Sequence, residues 1–382
     1  MSRIKKLLTI HDIFGKTMKK KDIKDFSQTK LAEWLKENGE KPYRAGQIFK
    51  WVYLRQADSF AEMTDLSKIT RDFLEQNFTI SRLEKSNIET SRDGTKKYLF
   101  RLEDGEYTEC VLIPGKDRYT LCISSQVGCA QGCRFCLTAR GGFKRNLTTS
   151  EIVAQVRDIL HDLPKKDGDP ETAKPFQNIV FMGMGEPLAN FRHVAEALEI
   201  IMNPDYGLKF SSRKVTLSTC GLVDRFQDLG TRFGLNLAVS LNATDNETRS
   251  RLMPINKTYP LEKLLDACVH YPISGRSKIT FEYILMKGVN DSEKNAHELA
   301  RLLSRVRAKI NLIPFNEFEG CEFKRPDDES VDRFLSILLN KGFTAIVRKS
   351  MGPDISAACG QLRANQIRPR EMEPDEKTCD PS

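Results

Sequence analysis

A chain of 382 residues with 40% hydrophobic and 29% charged side chains has the composition of a soluble globular protein and is long enough to bury a sizeable core. Ten cysteines are too few for a disulfide scaffold, and no run of about 18 apolar residues suggests a membrane span. The net charge of +8 is concentrated at the start, where residues 1–60 hold 14 Lys and Arg against 7 Asp and Glu; this balance suits contact with phosphates, and it also keeps a surface soluble.

The opening MSRIKKLLTIHDIFGK is basic, but no apolar core or cleavage site of a secretory signal follows, so a cytosolic protein is expected. LAEWLKENG (31–39), RAGQIFKWVYLR (44–55) and SKITRDFLEQNF (67–78) have apolar residues recurring at three and four, which predicts helices and, over residues 1–80, a small basic domain suited to RNA. The period then changes. KKYLFRLEDGEYTECVLIP (96–114) alternates around Asp104-Gly105, a hairpin signal, within an extension covering 81–118.

From 119 to 350 strands and helices alternate. Strands are expected at 119–125, 178–183, 214–219, 236–242, 278–286, 309–315 and 343–349. Helices are expected at 149–162, 191–203, 222–230, 245–252, 260–271, 292–306 and 327–341. Repeated strand–helix–strand units imply a parallel sheet curled into a full or partial barrel, with function at the strand C-terminal ends. The polar segment 163–177 reads as a surface loop, 351–370 as a loop and C-terminal segment, and 371–382 as a disordered tail.

Cys129-Ala-Gln-Gly-Cys133-Arg-Phe-Cys136 places three thiols directly after a predicted strand. Structural zinc and ordinary iron–sulfur clusters take four ligands, so three cysteines leave a coordination position open unless Cys122 or another residue closes it. In Phe181-Met-Gly183-Met-Gly185-Glu186-Pro187 the glycines would let the backbone approach a ligand, and Glu186 can accept from an ammonium group. Cys110, Cys220, Cys268 and Cys321 read as small core residues, and none of the five histidines sits in a metal-spaced pair. Arg140, Lys144 and Arg145, just after the cysteine loop, form a basic rim where phosphates would arrive.

The C-x3-C-x2-C pattern with Phe135 resembles the signature of the radical S-adenosylmethionine (SAM) superfamily. GMGEPLAN, with ISSQVGC, GGFKRNLT, LSTCG, RLMPIN, KGVND, NLIPFN and AACGQL in order from about residue 30 to 365, resembles the RlmN-type dual-specificity rRNA/tRNA adenine-C2 methyltransferases. The resemblance implies an α/β fold, a partial (βα)6-type radical SAM barrel with a small helical N-terminal domain and a β-hairpin extension. It implies a 4Fe-4S cluster on Cys129, Cys133 and Cys136, and two SAM per turnover in a site of Gly185, Glu186, Ser218, Ser240, Leu241, Asn242 and Asn316. Cys359 would carry the transferred methyl group, Glu109 would accept the C2 proton, and Cys122 would resolve the protein–RNA adduct by forming a disulfide with Cys359. The family usually reads Ser-Leu-His where this chain has Ser240-Leu241-Asn242.

Implied substrates are 23S rRNA at the peptidyl-transferase centre and the tRNA adenosine 3′ of the anticodon, served by a monomeric enzyme with an electron donor such as flavodoxin and no membrane partner. Because C2 lies on the pyrimidine edge of adenine, the target base must be unpaired or extruded. Alternatives are the related adenine-C8 methyltransferase, whose branch carries alanine where this chain has Pro187, and a zinc-stapled RNA-binding protein without catalysis.

Overall fold

The computed structural model describes residues 20–116, 118–163, 175–273, 275 and 277–362. The first 19 residues, most of segment 163–177 and the tail beyond 362 lie outside the described residues, and so do the expectations of a surface loop and a disordered tail.

Ten strands form one sheet whose spatial order follows the chain: β1 (Glu84–Thr90), β2 (Lys96–Arg101), β3 (Tyr107–Pro114), β4 (Tyr119–Cys122), β5 (Asn178–Phe181), β6 (Val215–Thr219), β7 (Asn236–Ser240), β8 (Ile279–Leu285), β9 (Ala308–Pro314) and β10 (Thr344–Val347). The pairs from β1 to β4 are antiparallel. Each pair from β4 to β10 is parallel, so every one needs a crossover, and helices supply it. The sheet is open between its two edge strands, which makes the barrel a partial one, in agreement with the expected fold class.

Parallel strands are covered on both faces and so read as apolar runs; β8 is buried along nearly its whole length. The crossover helices carry their own start signals. Thr148 and Glu151 form a reciprocal capping box before Thr149–Asp162, and Asp245, Ser292 and Asp327 cap Asn246–Leu252, Glu293–Leu303 and Asp328–Asn340.

Several strands end two or three residues before the apolar pattern does. β4 stops at Cys122, β5 at Phe181 and β7 at Ser240, because the following residues leave the ladder to form loops. Those loops are tied across the strand ends, with the Ile123 amide donating to Val180 O at 2.9 Å and the Gly183 amide to Ile123 O at 3.0 Å. Strand β1 escapes sequence reading for the opposite reason. It is a mostly exposed edge strand with the polar sequence EKSNIET and a register shift between Lys85 and Asn87, so it has no buried face to give it a period.

The N-terminal helices Gln28–Glu37, Arg44–Phe49 and Lys68–Asn77 are mounted on helix Thr149–Asp162. The expected helix 44–55 relaxes after Phe49 into a wider turn, Lys50–Leu54, and that turn receives the mounting contact. Arg157, fully buried, donates to Val52 O at 2.9 Å, Ala57 O at 2.7 Å, Asp58 at 2.7 Å and Asp158 at 2.9 Å. Asp158 also accepts the Leu83 amide at 2.8 Å, and Asp25 accepts the Ser150 amide at 2.8 Å.

Removing one partner of such a network leaves the others buried without compensation. Arg157→Met should therefore destabilise the protein by about 3–5 kcal/mol, read as a lower urea midpoint, because Asp158 and two carbonyls lose their donor. A change under about 1 kcal/mol would show that the network is not what holds the N-terminal helices in place.

Candidate functional site

At the C-terminal ends of the parallel strands lies a cavity of about 190 Å³. Its wall includes Cys129, Cys133 and Cys136, the glycine-rich turn residues Gly185 and Glu186, the strand-end serines Ser218 and Ser240, and both Cys122 and Cys359. Residues spread from 122 to 359 thus share one space.

The cysteine loop leaves a short strand, Gln126–Gly128, and returns through Phe143–Asn146. Gly128 has φ +74°, and a Cβ there would sit 1.8 Å from Gly142 O, so only glycine fits the crossing. Beyond it the Cys129 amide donates to Gly142 O at 3.0 Å, the Cys136 amide to Cys133 O at 3.2 Å, and the Arg134 amide to Leu252 O at 3.0 Å. Burial pushes the Cys129 thiol up to about 12 and Cys133 well above the ordinary thiol range, with neighbouring cysteines adding to both.

The donor set fits a sulfur-bridged cluster. Three cysteines line the cavity together with Phe135 and Met253, and Cys133 and Cys136 pack against an apolar cluster that also holds Leu252, Phe315 and Phe323. Among the described residues no three Cys, His, Asp or Glu side chains converge closely enough to hold a single metal ion. A cubane presents a different iron to each thiolate, so its ligands need not meet at one point, and the three cysteines line one cavity.

Glu186 is buried with both carboxylate oxygens engaged, one accepting the Leu188 amide at 3.0 Å and the other the Cys220 amide at 2.8 Å. Burial raises its pKa, and the two amides oppose that rise. The glycines before it line the cavity and also let two loops pack closely. A Cβ on Gly183 would meet Ser124 Oγ at 2.6 Å, and one on Gly185, at φ +97°, would meet Gln126 at 2.5 Å; protein already fills the room.

Cys359 sits in a loop clasped from two sides. On the cysteine-loop side the Leu137 amide donates to Gly360 O at 2.8 Å, Thr138 Oγ1 to Leu362 O at 2.6 Å and Asn316 Nδ2 to Cys359 O at 3.4 Å. On the hairpin side Ser91 Oγ donates to Asp354 at 2.6 Å, the Gly352 amide to Asp93 at 2.8 Å and Lys97 Nζ to Ile355 O at 2.6 Å. Cys359 is exposed overall, although desolvation around its thiol raises the pKa and the Glu282 carboxylate adds to it. Cys122 is buried against Val111, Met184, Ala357 and Leu362, and burial lifts its thiol above the ordinary range. Both thiols are free, so the disulfide implied by the resemblance is not a bond of this resting fold.

Leu241, Asn242, Asn316 and Glu109 do not line the cavity. Leu241 is core, and Asn242, buried at φ +59°, clamps two strand ends by accepting the Ile284 amide at 2.8 Å. Glu109 is buried on the face of β3 that also carries Val111 and Ile113, with Lys97 Nζ 3.6 Å from Oε1. Of the basic rim, Arg145 is withdrawn: its guanidinium holds both Glu151 oxygens at 2.8 and 2.9 Å and pairs with Asp104, because the capping box brings Glu151 alongside. Arg140 stacks over Phe318 at 5.0 Å, and Lys144 is exposed.

Three residues were not expected here. Cys220, assigned to the core, lines the cavity and donates its amide to Glu186. Glu282 is a buried carboxylate on the cavity wall, accepting from Asn311 Nδ2 at 2.8 Å; a lone acid inside the apolar run ITFEYIL was its signal. Arg249 is fully buried behind Cys220, and nothing in the polar segment NETRSRL distinguished it.

The ribosomal RNA large subunit methyltransferase N-terminal domain family matches residues 21–80, and the radical SAM superfamily matches residues 123–300. The dual-specificity RNA methyltransferase RlmN of Desulfosudis oleivorans is 54% identical over 93% of this chain and 94% of that protein. Its counterpart in Geobacter sulfurreducens is 56% identical over 90% of this chain and 92% of that protein. The crystal structure of a radical SAM methyltransferase from Sphaerobacter thermophilus superposes with a TM-score of 0.82 at 42% identity, covering 90% of this chain and 100% of that one.

Two neighbouring glycines test the loop geometry. Gly128→Ala should abolish iron loading on anaerobic reconstitution, since its Cβ overlaps a carbonyl. Gly142→Ala, at the same φ of +74° but with open space around it, should load iron and lose only about 1–2 kcal/mol of stability. Equal loading in both variants would show that the crossing is not needed to form the cysteine loop.

Proposed function

The chain belongs to the RlmN family of dual-specificity RNA methyltransferases, and on that premise we propose that it methylates C2 of adenosine in 23S rRNA and tRNA through a methyl group carried on Cys359. It is a radical SAM enzyme, and its cofactors are a 4Fe-4S cluster and SAM. No helix among the described residues is long and apolar enough to cross a membrane.

The observation that carries the proposal is the shared cavity: three cysteines in one loop, and two more thiols, Cys122 and Cys359, on the same wall. Adenine C2 is electron-poor, so no base turns it into a nucleophile and a polar methyl transfer cannot proceed there. The cluster, when bound, supplies the electron that cleaves SAM to a carbon radical. Cys129, Cys133 and Cys136 would hold that group, and Gly185, Glu186, Ser218 and Ser240, which line the same cavity, would surround SAM.

Cys359 would take the methyl group of one SAM as a thioether, giving up its thiol proton; loss of a hydrogen atom from that methyl group to the carbon radical of a second SAM would free its carbon to bond to adenine C2, giving a covalent protein–RNA link, with the borrowed electron returned as the C2 proton leaves. Glu109, held by Lys97, takes the C2 proton. Cys122 then attacks the Cys359 sulfur, releasing methylated RNA and leaving a disulfide. Its proximity to Ala357 and Leu362, the residues flanking Cys359, supports that role. Attack requires the thiolate, which burial of Cys122 disfavours. An external one-electron donor such as flavodoxin supplies the electron, a dithiol reductant returns Cys122 and Cys359 to thiols, and the basic N-terminal region, residues 1–80, is the part we assign to the RNA backbone.

Two cysteine variants separate these roles. Cys359→Ala should stop methylation before any covalent link forms, whereas Cys122→Ala should accumulate RNA crosslinked through Cys359, seen as a ribonuclease-sensitive shift on denaturing gels. A methylating Cys359→Ala protein would overturn the mechanism, and a fully active Cys122→Ala protein would remove Cys122 from it.

The pH dependence has a defined sign as well. With the Cys122 thiol above the ordinary range, its thiolate fraction grows as pH rises through neutrality, so adduct breakdown followed by rapid quench should accelerate with pH. A flat profile would mean that another group sets that step.

A further inference from the structure

Arg249 has no exposed surface, and its guanidinium is saturated by neutral acceptors. Nε donates to Leu241 O at 3.1 Å, Nη1 to Asn256 Oδ1 at 2.9 Å and Tyr259 O at 3.3 Å, and Nη2 to Cys220 O at 2.8 Å and Ser240 O at 3.3 Å. The hydrogen bonding is complete, but no carboxylate forms an ion pair with it among the described residues. Arg157, the other fully buried arginine, is balanced by Asp58 and Asp158. An interior cation without a counter-charge is costly, so something must supply the negative charge.

The surroundings indicate what does. Arg249 lies one turn before Leu252, whose carbonyl accepts the Arg134 amide of the cysteine loop at 3.0 Å. Leu252 and Met253 pack in one apolar cluster with Cys133, Cys136 and Cys220, which keeps water away and leaves electrostatic interactions poorly screened. Glu186, the nearest acid in the bonding pattern, reaches Cys220 through its amide while Arg249 holds the Cys220 carbonyl. Its two oxygens are each already engaged by a backbone amide.

We infer that Arg249 is a positioning residue whose buried charge is the counter-ion of the cluster held by Cys129, Cys133 and Cys136, and that it eases one-electron reduction of that cluster. The inference rests on the assignment of the cluster to those three cysteines. A four-iron core with three thiolates carries one negative charge when oxidised and two when reduced, so a fixed cation stabilises the reduced form more. One electron enters from an external donor, and no bond or proton of the protein changes. The same guanidinium fixes the carbonyls of Ser240 and Leu241 at the end of β7 and that of Cys220 beyond β6, so charge and wall geometry come from one side chain.

The test uses reconstituted holoprotein and three forms: wild type, Arg249→Lys, which keeps the charge but loses the fork of donors, and Arg249→Gln, which keeps some hydrogen bonding but loses the charge. Iron and sulfide content are measured first, followed by a potentiometric titration monitored by electron paramagnetic resonance of the reduced cluster. Arg249→Gln should load iron and become harder to reduce by on the order of tenfold, about 59 mV more negative for a one-electron couple. Arg249→Lys should stay near the wild-type potential. A second measurement is the rise in Tm on cluster loading, which should be smaller in Arg249→Gln than in wild type because the apo form of the variant no longer contains an unbalanced cation.

An unchanged potential in a fully loaded Arg249→Gln protein overturns the inference, and so does an equal fall in both variants, which would trace the effect to hydrogen bonding. Loss of folded protein in both variants makes Arg249 a structural clamp only and likewise overturns it. Wild-type protein that takes up no four-iron cluster overturns the functional reading first and the inference with it.

Discussion

The site depends on two hydrogen bonds that join the cysteine loop to the chain's last described turn, Leu137 to Gly360 and Thr138 to Leu362, the second linking residues 224 positions apart. Without them the thiols of the loop and Cys359 would belong to opposite ends of an open sheet. The sheet alone cannot bring them together: its order follows the chain, so β4 and β10 lie six parallel pairings apart and only curvature and loops close the distance. Gly360, at φ +81°, takes the left-handed conformation that glycine favours and turns its carbonyl toward Leu137. The hairpin then holds the other side of the same loop through Ser91, Asp93 and Lys97, so what the sequence presents as an extension is half of the clasp.

Much of this was legible in residue order. The alternation of apolar runs with capped amphipathic helices marks each parallel strand and its crossover, since both are set by local periodicity and by short-range capping bonds. The three-cysteine loop was legible too, because ligand chemistry restricts spacing more than packing does. What periodicity could not show is where strands end: Ile123, Met182 and Leu241 are as apolar as the strand residues before them, yet the chain has already left the ladder. Nor could it show β1, whose polar edge gives no signal, or the withdrawal of Arg145, which follows from a cap at Thr148 that brings an acid beside it.

The glycines of the GMGEPLAN turn give a similar lesson in the opposite direction. A glycine pair before an acid reads as room for a ligand; the two glycines do line the cavity, and in the direction a side chain would take they pack against Ser124 and Gln126, whose side chains accept within the turn, Ser124 Oγ from the Met184 amide at 2.8 Å and Gln126 Oε1 from the Glu186 amide at 2.8 Å. The motif is therefore narrow because two loops interlock there. The carboxylate it delivers is oriented by backbone amides before any ligand arrives, which is what preorganisation of a buried acid requires.

The mounting of the N-terminal helices on Arg157 bears on how such a chain can be cut or recombined. A boundary drawn at residue 80 looks natural in sequence, yet it would leave the buried Arg157 guanidinium of the barrel helix without Val52, Ala57 and Asp58, and the Ser150 amide without Asp25. The N-terminal helices and the barrel therefore behave as one cooperative block in unfolding. Chimeras that exchange the first eighty residues between relatives will stay intact only where the face of helix Thr149–Asp162 is carried across with them, so the two parts are constrained to diverge together.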